Sequence, residues 1–231
     1  MDVHKVKPPP GYPPEEGRYV RGDDYSPVAV AAILDTLESN IPVELSELIG
    51  VAKDCGAALA GSVQTENIGI EKIIANVVAN PNIRYLVICW IESRGHLTAD
   101  AIMKLLENGV DEKRRIIGAE APTPFLYNLP LEAIERFREQ IKPVNLISED
   151  EPWLGMDPKY VREVVSACRS REPLEFRGYV LRDEGAYPKP AICANITVRV
   201  KEPWKYQTTS EELSLIERIK KAAKDRGTGR Q

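Results

Sequence analysis

The stretch from residue 83 to residue 98, IRYLVICWI followed by ESRGHLT, decides the fold. Its first nine residues, Ile83–Ile91, are almost continuously apolar and rich in β-branched and aromatic side chains, which is typical of a strand buried on both faces. A polar turn follows, and then Thr98–Glu107 has a helical pattern that Asn108 and Gly109 end as a C-cap. A buried strand, a short turn and a helix form the repeating unit of a parallel sheet.

The same alternation continues on both sides of this unit. Short apolar runs lie at Val28–Leu34 and Gly56–Val63, short strands are predicted at Arg115–Gly118 and Val144–Ile147, and helices are predicted at Glu71–Ala79 and Leu131–Ile141. Strands that alternate with helices of this length imply parallel βαβ units with right-handed crossovers. The sequence therefore predicts an α/β fold, a Rossmann-like three-layer domain with a mostly parallel sheet over residues 18–150.

The two ends of the chain differ from this pattern. Residues 1–17 form a predicted N-terminal arm, because residues 7–17 hold five prolines and two glycines. Residues 151–231 are predicted as a small C-terminal α+β appendage. In it, a helix starts at Asp157-Pro158 and ends near Arg169, Leu174–Leu181 pairs with Ile192–Val200 in a hairpin, and a last helix covers Ser210–Lys224.

The composition excludes several classes of protein. Hydrophobic residues make up 43% of the chain and charged residues 29%, as in water-soluble globular proteins. The formal net charge of −4 argues against nucleic-acid binding, which needs a surplus of basic residues. No apolar stretch is long enough for a membrane span, and the N-terminus does not resemble a signal peptide. The four cysteines form no CxxC pair and indicate a reducing cytoplasm.

Histidine is the residue type that best indicates a functional site, since the chain has only two, His4 and His96. His96 lies in the turn between the longest predicted strand and a helix. Ligands of open parallel sheets bind beyond the carboxyl ends of the strands, so a ligand would meet His96 there. A loop histidine hydrogen-bonded to backbone is the alternative. The motifs GxGxxG, GxxxxGK[ST] and GxSxG are absent, which removes the usual nucleotide and hydrolase sites.

Five blocks of sequence resemble, in order, the A subunit of the tetrahydromethanopterin S-methyltransferase of methanogenic archaea. The blocks are TENIGIEKIIANVVANPNIRYLVIC (65–89), ESRGHLT (92–98), ENGVD (107–111), RIIGA (115–119) and PFLYN (124–128). GRYVRGD and SPVAV near the N-terminus extend the resemblance to about residues 8–150. The resemblance implies a domain that binds cobalamin or another cobamide, a cobalt corrinoid, with His96 as the lower axial ligand of the metal.

His96 is accordingly the expected catalytic residue and metal ligand. Three loops would supply the cofactor-binding residues Thr65, Glu66, Asn67, Gly69, Gly95, His96, Leu97, Thr98, Gly118, Ala119, Pro122 and Pro124. Imidazole suits cobalt, and a ligating histidine normally has its other ring nitrogen held by an acceptor. Asp100 and Glu92 are the candidate acceptors, with solvated charges as the alternative for both.

The resemblance also implies a function. The protein would be a corrinoid-dependent methyltransferase component that carries a methyl group, through Co(I) and methyl-Co(III), from a donor such as methyl-tetrahydromethanopterin to an acceptor such as a thiol. A methyltransferase subunit would be its partner. Two departures from the family are visible: Ala99-Asp100 replaces a common Gly-Gln, and a C-terminal transmembrane helix is not seen, which predicts a cytoplasmic homologue. A cobamide sensor or storage protein, and an interaction module without cofactor, are the alternatives.

Overall fold

The computed structural model describes residues 3–35, 41–148 and 150–196. These residues belong to one compact unit that extends to Ile196. The helix predicted at Ser210–Lys224 lies outside the described residues. Across the described ranges, no helix combines the length and the apolar character needed to cross a bilayer.

In the part of the chain that the structure describes, five strands form the main sheet and five α-helices accompany it. In chain order the elements are β1 (Tyr19–Arg21), β2 (Val28–Ile33), α1 (Val43–Asp54), β3 (Leu59–Val63), α2 (Ile68–Val78), β4 (Tyr85–Trp90), α3 (Thr98–Asn108), α4 (Leu131–Gln140), β5 (Lys142–Asn145), α5 (Pro158–Cys168), β6 (Leu174–Phe176) and β7 (Tyr179–Leu181). A single 3-10 turn, Leu154–Met156, precedes α5. The predicted mixed α/β fold with a mostly parallel sheet is confirmed.

The order of the strands in the sheet is β1-β3-β2-β4-β5. The neighbours β3, β2, β4 and β5 run parallel, whereas β1 pairs with β3 antiparallel at the edge. The chain passes from β2 outward to β3, and then crosses back over β2 to reach β4. Because β3, β2 and β4 are parallel, the loops that follow them meet at one edge of the sheet, beside this change of direction.

Alternation along the strands gives the sheet two apolar faces. One face, here called the α1 face, includes Val30 and Val87 and packs against α1 and α5. The opposite face, the α2 face, includes Ala31 and Ile88 and packs against α2, α3 and α4. Side chains that point to alternate sides of a strand produce this division, and helices on both faces complete three layers.

Helix α1 is not among the elements predicted from the sequence. Its buried residues Leu45, Leu48, Ile49 and Ala52 recur at positions i, i+3, i+4 and i+7. That spacing is the signature of an amphipathic helix with one narrow apolar stripe. Val43 and Val51 lie off this stripe, so the apolar residues of the segment do not by themselves mark one face.

The strand predicted at Arg115–Gly118 does not form. Arg115 and Ile116 make only isolated bridges, to Phe125 and Val110. Gly118 then turns the chain with a φ of +81°, in the left-handed region that a strand cannot use. The segment is a loop that lies beside α3, with its Ile117 carbonyl bonded to the Asn108 side chain.

The C-terminal hairpin is formed by two strands other than the predicted pair. Leu174–Phe176 pairs with Tyr179–Leu181, inside the run predicted as a single strand. The turn residues Arg177 and Gly178 both have positive φ, as a two-residue hairpin turn requires. The described part of the other predicted strand, residues 192–196, is not in a strand.

Both terminal segments pack on the sheet domain. In the N-terminal arm Tyr12 is buried, and the backbone of Glu15 bonds in both directions with the Asn76 side chain of α2, at 2.9 and 3.0 Å. After residue 150, α5 covers the α1 face with Val161 and Val164 fully buried. Residues 151–196, predicted as an appendage, therefore lie in the same compact unit as the sheet.

Candidate functional site

The side chains of His96 and Glu66 meet at the carboxyl edge of the sheet. His96 belongs to the loop after β4, Glu66 to the loop after β3, and their Nδ1 and Oε2 atoms are 2.6 Å apart. The Glu66 side chain is almost fully buried, at 1% exposure, whereas the His96 side chain is 36% exposed. A carboxylate accepts this hydrogen bond, so Nδ1 carries the proton and Nε2 is the free ring nitrogen of the neutral imidazole.

A third loop completes the arrangement through Thr123. Its hydroxyl donates to Glu66 Oε1 at 2.7 Å and its backbone amide donates to the same oxygen at 3.0 Å. Burial raises the pKa of the Glu66 carboxyl, but the bonds from Thr123, the Glu66 amide and His96 outweigh burial, so the pKa is lowered. Glu66 is therefore ionised at neutral pH, and its charge faces the imidazole.

The N-terminus of α2 fixes the position of Glu66. The next residue, Asn67, caps the helix by accepting from the Ile68 amide at 2.7 Å. Its amide group also reaches the Thr123 hydroxyl at 3.2 Å, which ties the cap to the third loop. Thr65, on the other side of Glu66, accepts from the Gly69 amide at 3.0 Å. These side chains leave the Glu66 loop little freedom, because each one satisfies a backbone donor of the first helical turn.

The loop that carries His96 is held in a similar way at the N-terminus of α3. Glu92 accepts from three backbone amides, those of Ser93, Ala99 and Asp100, at 2.8–3.0 Å. Thr98 is buried and donates its hydroxyl to the Gln64 carbonyl at 3.0 Å, which joins this loop to the end of β3. A carboxylate at a helix N-terminus is favoured by the helix dipole, so Glu92 stabilises the start of α3.

Asp35 is a further anchor that the sequence pattern did not reveal. It follows β2 and accepts from the Arg94 amide at 2.8 Å, so the loop after β2 holds the His96 loop from the other side. Its signal was an acidic residue at the carboxyl end of a predicted strand. Thr123 was also missed, since nothing in the local pattern distinguishes one threonine in a loop.

The two acceptors predicted for His96 are both wrong. Glu92 is occupied by the backbone of α3, and Asp100 accepts from the Glu120 amide at 3.0 Å. The spacing from His96 to Asp100 would bring two side chains together on a helix, but α3 begins only at Thr98. His96 precedes the helix, and Leu97 between them has a left-handed φ of 45°, which turns the histidine away from the helical face.

The structure brings only some of the other predicted residues to this site. Gly95 borders His96, and a Cβ added to it would meet no atom within 4 Å. Pro122 and Pro124 flank Thr123 and stiffen the third loop. Gly118 instead lies against Asn108, at the opposite end of α3 from His96, about 15 Å along the helix. Ala119 is buried in the core of the α2 face.

The chemistry available here is that of one oriented imidazole with a buried anion behind it. Among the residues that the structure describes, no group of three or more His, Cys, Asp and Glu side chains could hold a metal ion unaided. A single neutral imidazole with a free Nε2 suits one axial position of a metal that already has its other ligands. Its hydrogen bond to a carboxylate is the usual support of a metal-ligating histidine.

Comparison with known proteins identifies the relatives of this chain. The MtrA family model, which describes the A subunit of tetrahydromethanopterin S-methyltransferase, matches residues 5–181. The A subunit numbered 1 from Methanothermobacter marburgensis is 42% identical over 175 residues, which cover 75% of this chain and 66% of the relative. The A subunit from Methanopyrus kandleri is 49% identical over 138 residues, 59% of this chain and 53% of the relative.

The match therefore spans between about half and two thirds of these longer relatives. It includes the three loops that carry Glu66, His96 and Thr123. The chain belongs to the MtrA family, the A subunits of tetrahydromethanopterin S-methyltransferase.

Proposed function

We propose that this protein binds cobalamin or another cobamide at the carboxyl edge of its sheet and carries a methyl group on it for a methyltransferase. In this proposal the parallel strands β3-β2-β4-β5 and their helices form a Rossmann-like core, and His96 is the axial ligand. The observation that carries the proposal is the His96–Glu66 hydrogen bond of 2.6 Å, which leaves Nε2 as the free ring nitrogen at a partly exposed position.

The residues present fit such a cofactor. A corrin brings most of the ligands of its cobalt, so the protein would need to add one nitrogen, which His96 would supply, and no cluster of ligands. Gly95 next to His96 has open space above its backbone, which would let a flat macrocycle approach closely. Ile68 and Ile91 follow the same two strands, and their exposed side chains, at 45% and 42% exposure, would offer apolar surface to the cofactor. The bound cofactor would supply a cobalt that accepts and releases a methyl group.

The protein's own part in the reaction is to hold the imidazole and to move one proton. If His96 held the cobalt of a bound corrinoid through Nε2, the Glu66 carboxylate at Nδ1 would stabilise the positive charge on the ring. Without a metal at Nε2, the ring could take up a proton there, and the imidazolium would remain paired with Glu66. Thr123 keeps Glu66 ionised and oriented in both states. The ligand can therefore come on and off without leaving an unpaired buried charge.

The names of the relatives suggest the donor and the partner. They describe the A subunit of a methyltransferase that acts on tetrahydromethanopterin, so a methylated tetrahydromethanopterin is the proposed donor and another component of the enzyme the proposed partner. A thiol is the proposed acceptor, in keeping with the term S-methyltransferase in those names. We propose the same assignments for this chain.

The test uses cobinamide, a corrinoid that lacks a nucleotide base of its own. The wild type, His96→Ala and His4→Ala are titrated with it, and the visible spectrum is recorded. His4→Ala is the matched control, since it removes the other histidine. We expect the wild type and His4→Ala to give the spectrum of a nitrogen-ligated corrinoid and His96→Ala to lose it. Identical spectra for all three proteins would contradict axial ligation by His96.

A second measurement separates a methyl carrier from a storage protein. The protein loaded with methylcobalamin is mixed with a methyltransferase of the family and a thiol, and methylation of the thiol is followed. Transfer in the wild type supports the carrier function. Binding without any transfer would support storage instead.

A further inference from the structure

The carboxyl edge of the sheet has two halves, one on each side of the strands. Helices α2 and α3 begin on the α2 side, where Glu66 and His96 meet. A cavity of about 320 Å³ lies on this side as well, between α2 and the sheet, over Ala29 and Ala31. Helices α1 and α5 begin on the other side and pack against each other. The proposed axial ligation gives this second half of the edge no role.

Three large apolar side chains are exposed on the second half, and together they are here called the α1-side patch: Val43, Trp153 and Met156. Val43 is the first residue of α1. Trp153 precedes the 3-10 turn that Met156 ends, and it is 61% exposed. Exposed apolar side chains that lie near one another mark interaction sites, and tryptophan is among the residue types that contribute most to binding at protein interfaces.

The turn that carries Trp153 and Met156 is fixed on the sheet. Gly155 is buried in it, and an added Cβ would come within 2.8 Å of the Trp90 carbonyl oxygen and 3.1 Å of the Trp90 amide nitrogen. The turn therefore packs directly on the last residue of β4, which the His96 loop follows. A side chain on such a fixed backbone loses less conformational entropy on binding than one on a free loop.

Acidic side chains surround the α1-side patch. Residues 147–157 include four acidic residues and no basic one. Asp150 in this segment is exposed, and so are Glu44 and Glu47 in the first turns of α1. Glu151 is paired with Arg177, whereas Asp150, Glu44 and Glu47 have no ion pair within the described part of the chain. The apolar patch therefore lies in a negative electrostatic potential.

This combination of charge and apolar surface indicates a protein partner. Nucleic acids and bilayers with anionic lipids bind through basic residues, so the carboxylates around the patch would repel both. A protein surface with an apolar cleft bordered by lysine and arginine side chains complements the patch in shape and in charge. The partner in the proposed function is such a protein, another component of the methyltransferase.

We infer that the α1-side patch is the docking surface for the methyltransferase component that exchanges methyl groups with this protein. The inference rests on the proposed function and adds the chemistry of the contact: an apolar cleft for the Trp153 side chain and basic residues that face Glu44 and Asp150. A component that reaches a cofactor above His96 has to contact the protein beyond it, since a specific interface buries about 800 Å² on each partner. The adjoining half of the same edge supplies this area.

The test follows methyl transfer from methyl-tetrahydromethanopterin to the full chain loaded with cobalamin, catalysed by a methyltransferase component of the family. The rate is recorded against the concentration of the loaded protein. Trp153→Ala is expected to raise the half-saturating concentration at least about tenfold and to leave the maximal rate within about twofold, because it removes an anchor of the interface and leaves the His96 loop intact. Tyr25→Ala is the matched control, since this 46% exposed aromatic residue precedes β2 at the opposite edge of the sheet, and it is expected to change neither value.

A charge reversal tests the acidic surround separately. Glu44→Lys is expected to raise the half-saturating concentration a few-fold and to weaken its dependence on salt concentration, because it removes an attraction that salt screens. Asp54→Lys makes the same change of charge at the other end of α1, about 15 Å away along the helix, and is expected to behave as the wild type. Thermal unfolding checks that every variant is folded.

Equal half-saturating concentrations for the wild type, Trp153→Ala and Tyr25→Ala would overturn the inference. Ligation by His96 is judged independently from the cobinamide spectrum and would then stand. If the protein binds no corrinoid, the proposed function fails, and isothermal titration calorimetry of the apo protein with the component decides on the surface alone. A complex that Trp153→Ala weakens supports docking, whereas an unaffected complex, or none, overturns it.

Sedimentation of the protein by itself examines the other occupant, a second copy of this chain. The wild type is expected to sediment in the same way as Trp153→Ala. A dimer of the wild type that Trp153→Ala disrupts would assign the α1-side patch to self-association and would also overturn the inference.

Discussion

The two faces of the sheet are built from the same strands and differ in what they leave open. On the α1 face, Val28, Tyr85 and Val87 are at most 1% exposed and share one apolar core with α1 and α5. On the α2 face, Ala29 and Ala31 leave the cavity, and α2 and α3 begin at the loops that hold Glu66 and His96. The α1 face is therefore closely packed, whereas the α2 face contains a cavity and borders the polar loops of the candidate site.

The first prediction compares leucine at two neighbouring positions of β2. Ala32 is fully buried on the α1 face, so Ala32→Leu is expected to overpack it and lower the free energy of unfolding by about 1–3 kcal/mol. Ala31 borders the cavity, so Ala31→Leu is expected to change stability by less than about 1 kcal/mol. Urea unfolding of both variants measures this. Equal destabilisation would show that the faces are packed alike.

The second prediction compares two acidic residues near His96. In Glu66→Gln the amide group can donate to Nδ1, which moves the ring proton to Nε2 and removes the lone pair from the metal side. Affinity for cobinamide is expected to fall about 10- to 100-fold. Asp100→Asn is the control and is expected to stay within about twofold, because Asp100 contacts the Glu120 amide instead. A larger loss in Asp100→Asn than in Glu66→Gln would reverse the assignment.

The third prediction concerns Thr123→Val, which removes the hydroxyl and keeps the shape. The Glu66 pKa is lowered in the folded protein, so ionised Glu66 contributes stability above its unfolded pKa, and this is lost as pH falls through the folded pKa. The variant raises the folded pKa and is expected to be less stable than the wild type by about 1 kcal/mol at neutral pH. As the pH falls through the folded pKa of Glu66, the difference should narrow, since the carboxyl becomes protonated in both proteins. Urea unfolding across this range tests it, and a difference independent of pH would contradict the role of Thr123.

The fourth prediction has the smallest expected effect, the change in stability that Gly95→Ala causes. The added methyl group meets no atom within 4 Å, and the φ of Gly95 is not in the left-handed region. Stability of the apo protein is expected to stay the same or to rise by less than about 1 kcal/mol. Cobinamide affinity is expected to fall a few-fold, because the methyl group separates a flat ligand from the backbone. An unchanged affinity for cobinamide would show that Gly95 does not border the bound ligand.

The contrast between regular elements and turns also explains which parts of the fold were predictable. The buried strand β4 and the helices α2, α3, α4 and α5 have patterns within ten or so consecutive residues, and the sequence predicts them with bounds that differ by only a few residues. The loop at Arg115–Gly118 and the hairpin at Leu174–Leu181 depend on backbone turns with positive φ, at Gly118 and at Arg177-Gly178. Hydrophobic pattern alone gives no information on such turns.

The site was predictable only in part for a related reason. Glu66 and His96 were both predicted as site residues, yet their bond joins residues 30 apart in the chain. The predicted partners Asp100 and Glu92 came from local spacing, which fails where the helix has not yet begun. Thr123 lies 57 residues from Glu66, and only the folded sheet brings these loops together. Glu92 and Asn67 instead cap the first turns of α3 and α2. Their hydrogen bonds join residues that are close together in the chain.

The central claim is that Nε2 of His96 ligates the metal of a cobamide, and electron paramagnetic resonance of the bound Co(II) form tests it most directly. His4→Ala protein, whose remaining histidine is His96, is prepared with ¹⁵N-labelled histidine and loaded with unlabelled cobalamin. Ligation by His96 predicts that the nitrogen splitting of the cobalt lines changes from the triplet of ¹⁴N to the doublet of ¹⁵N. A triplet that persists in the labelled protein would show that the cofactor's own base holds the metal, and would contradict the account.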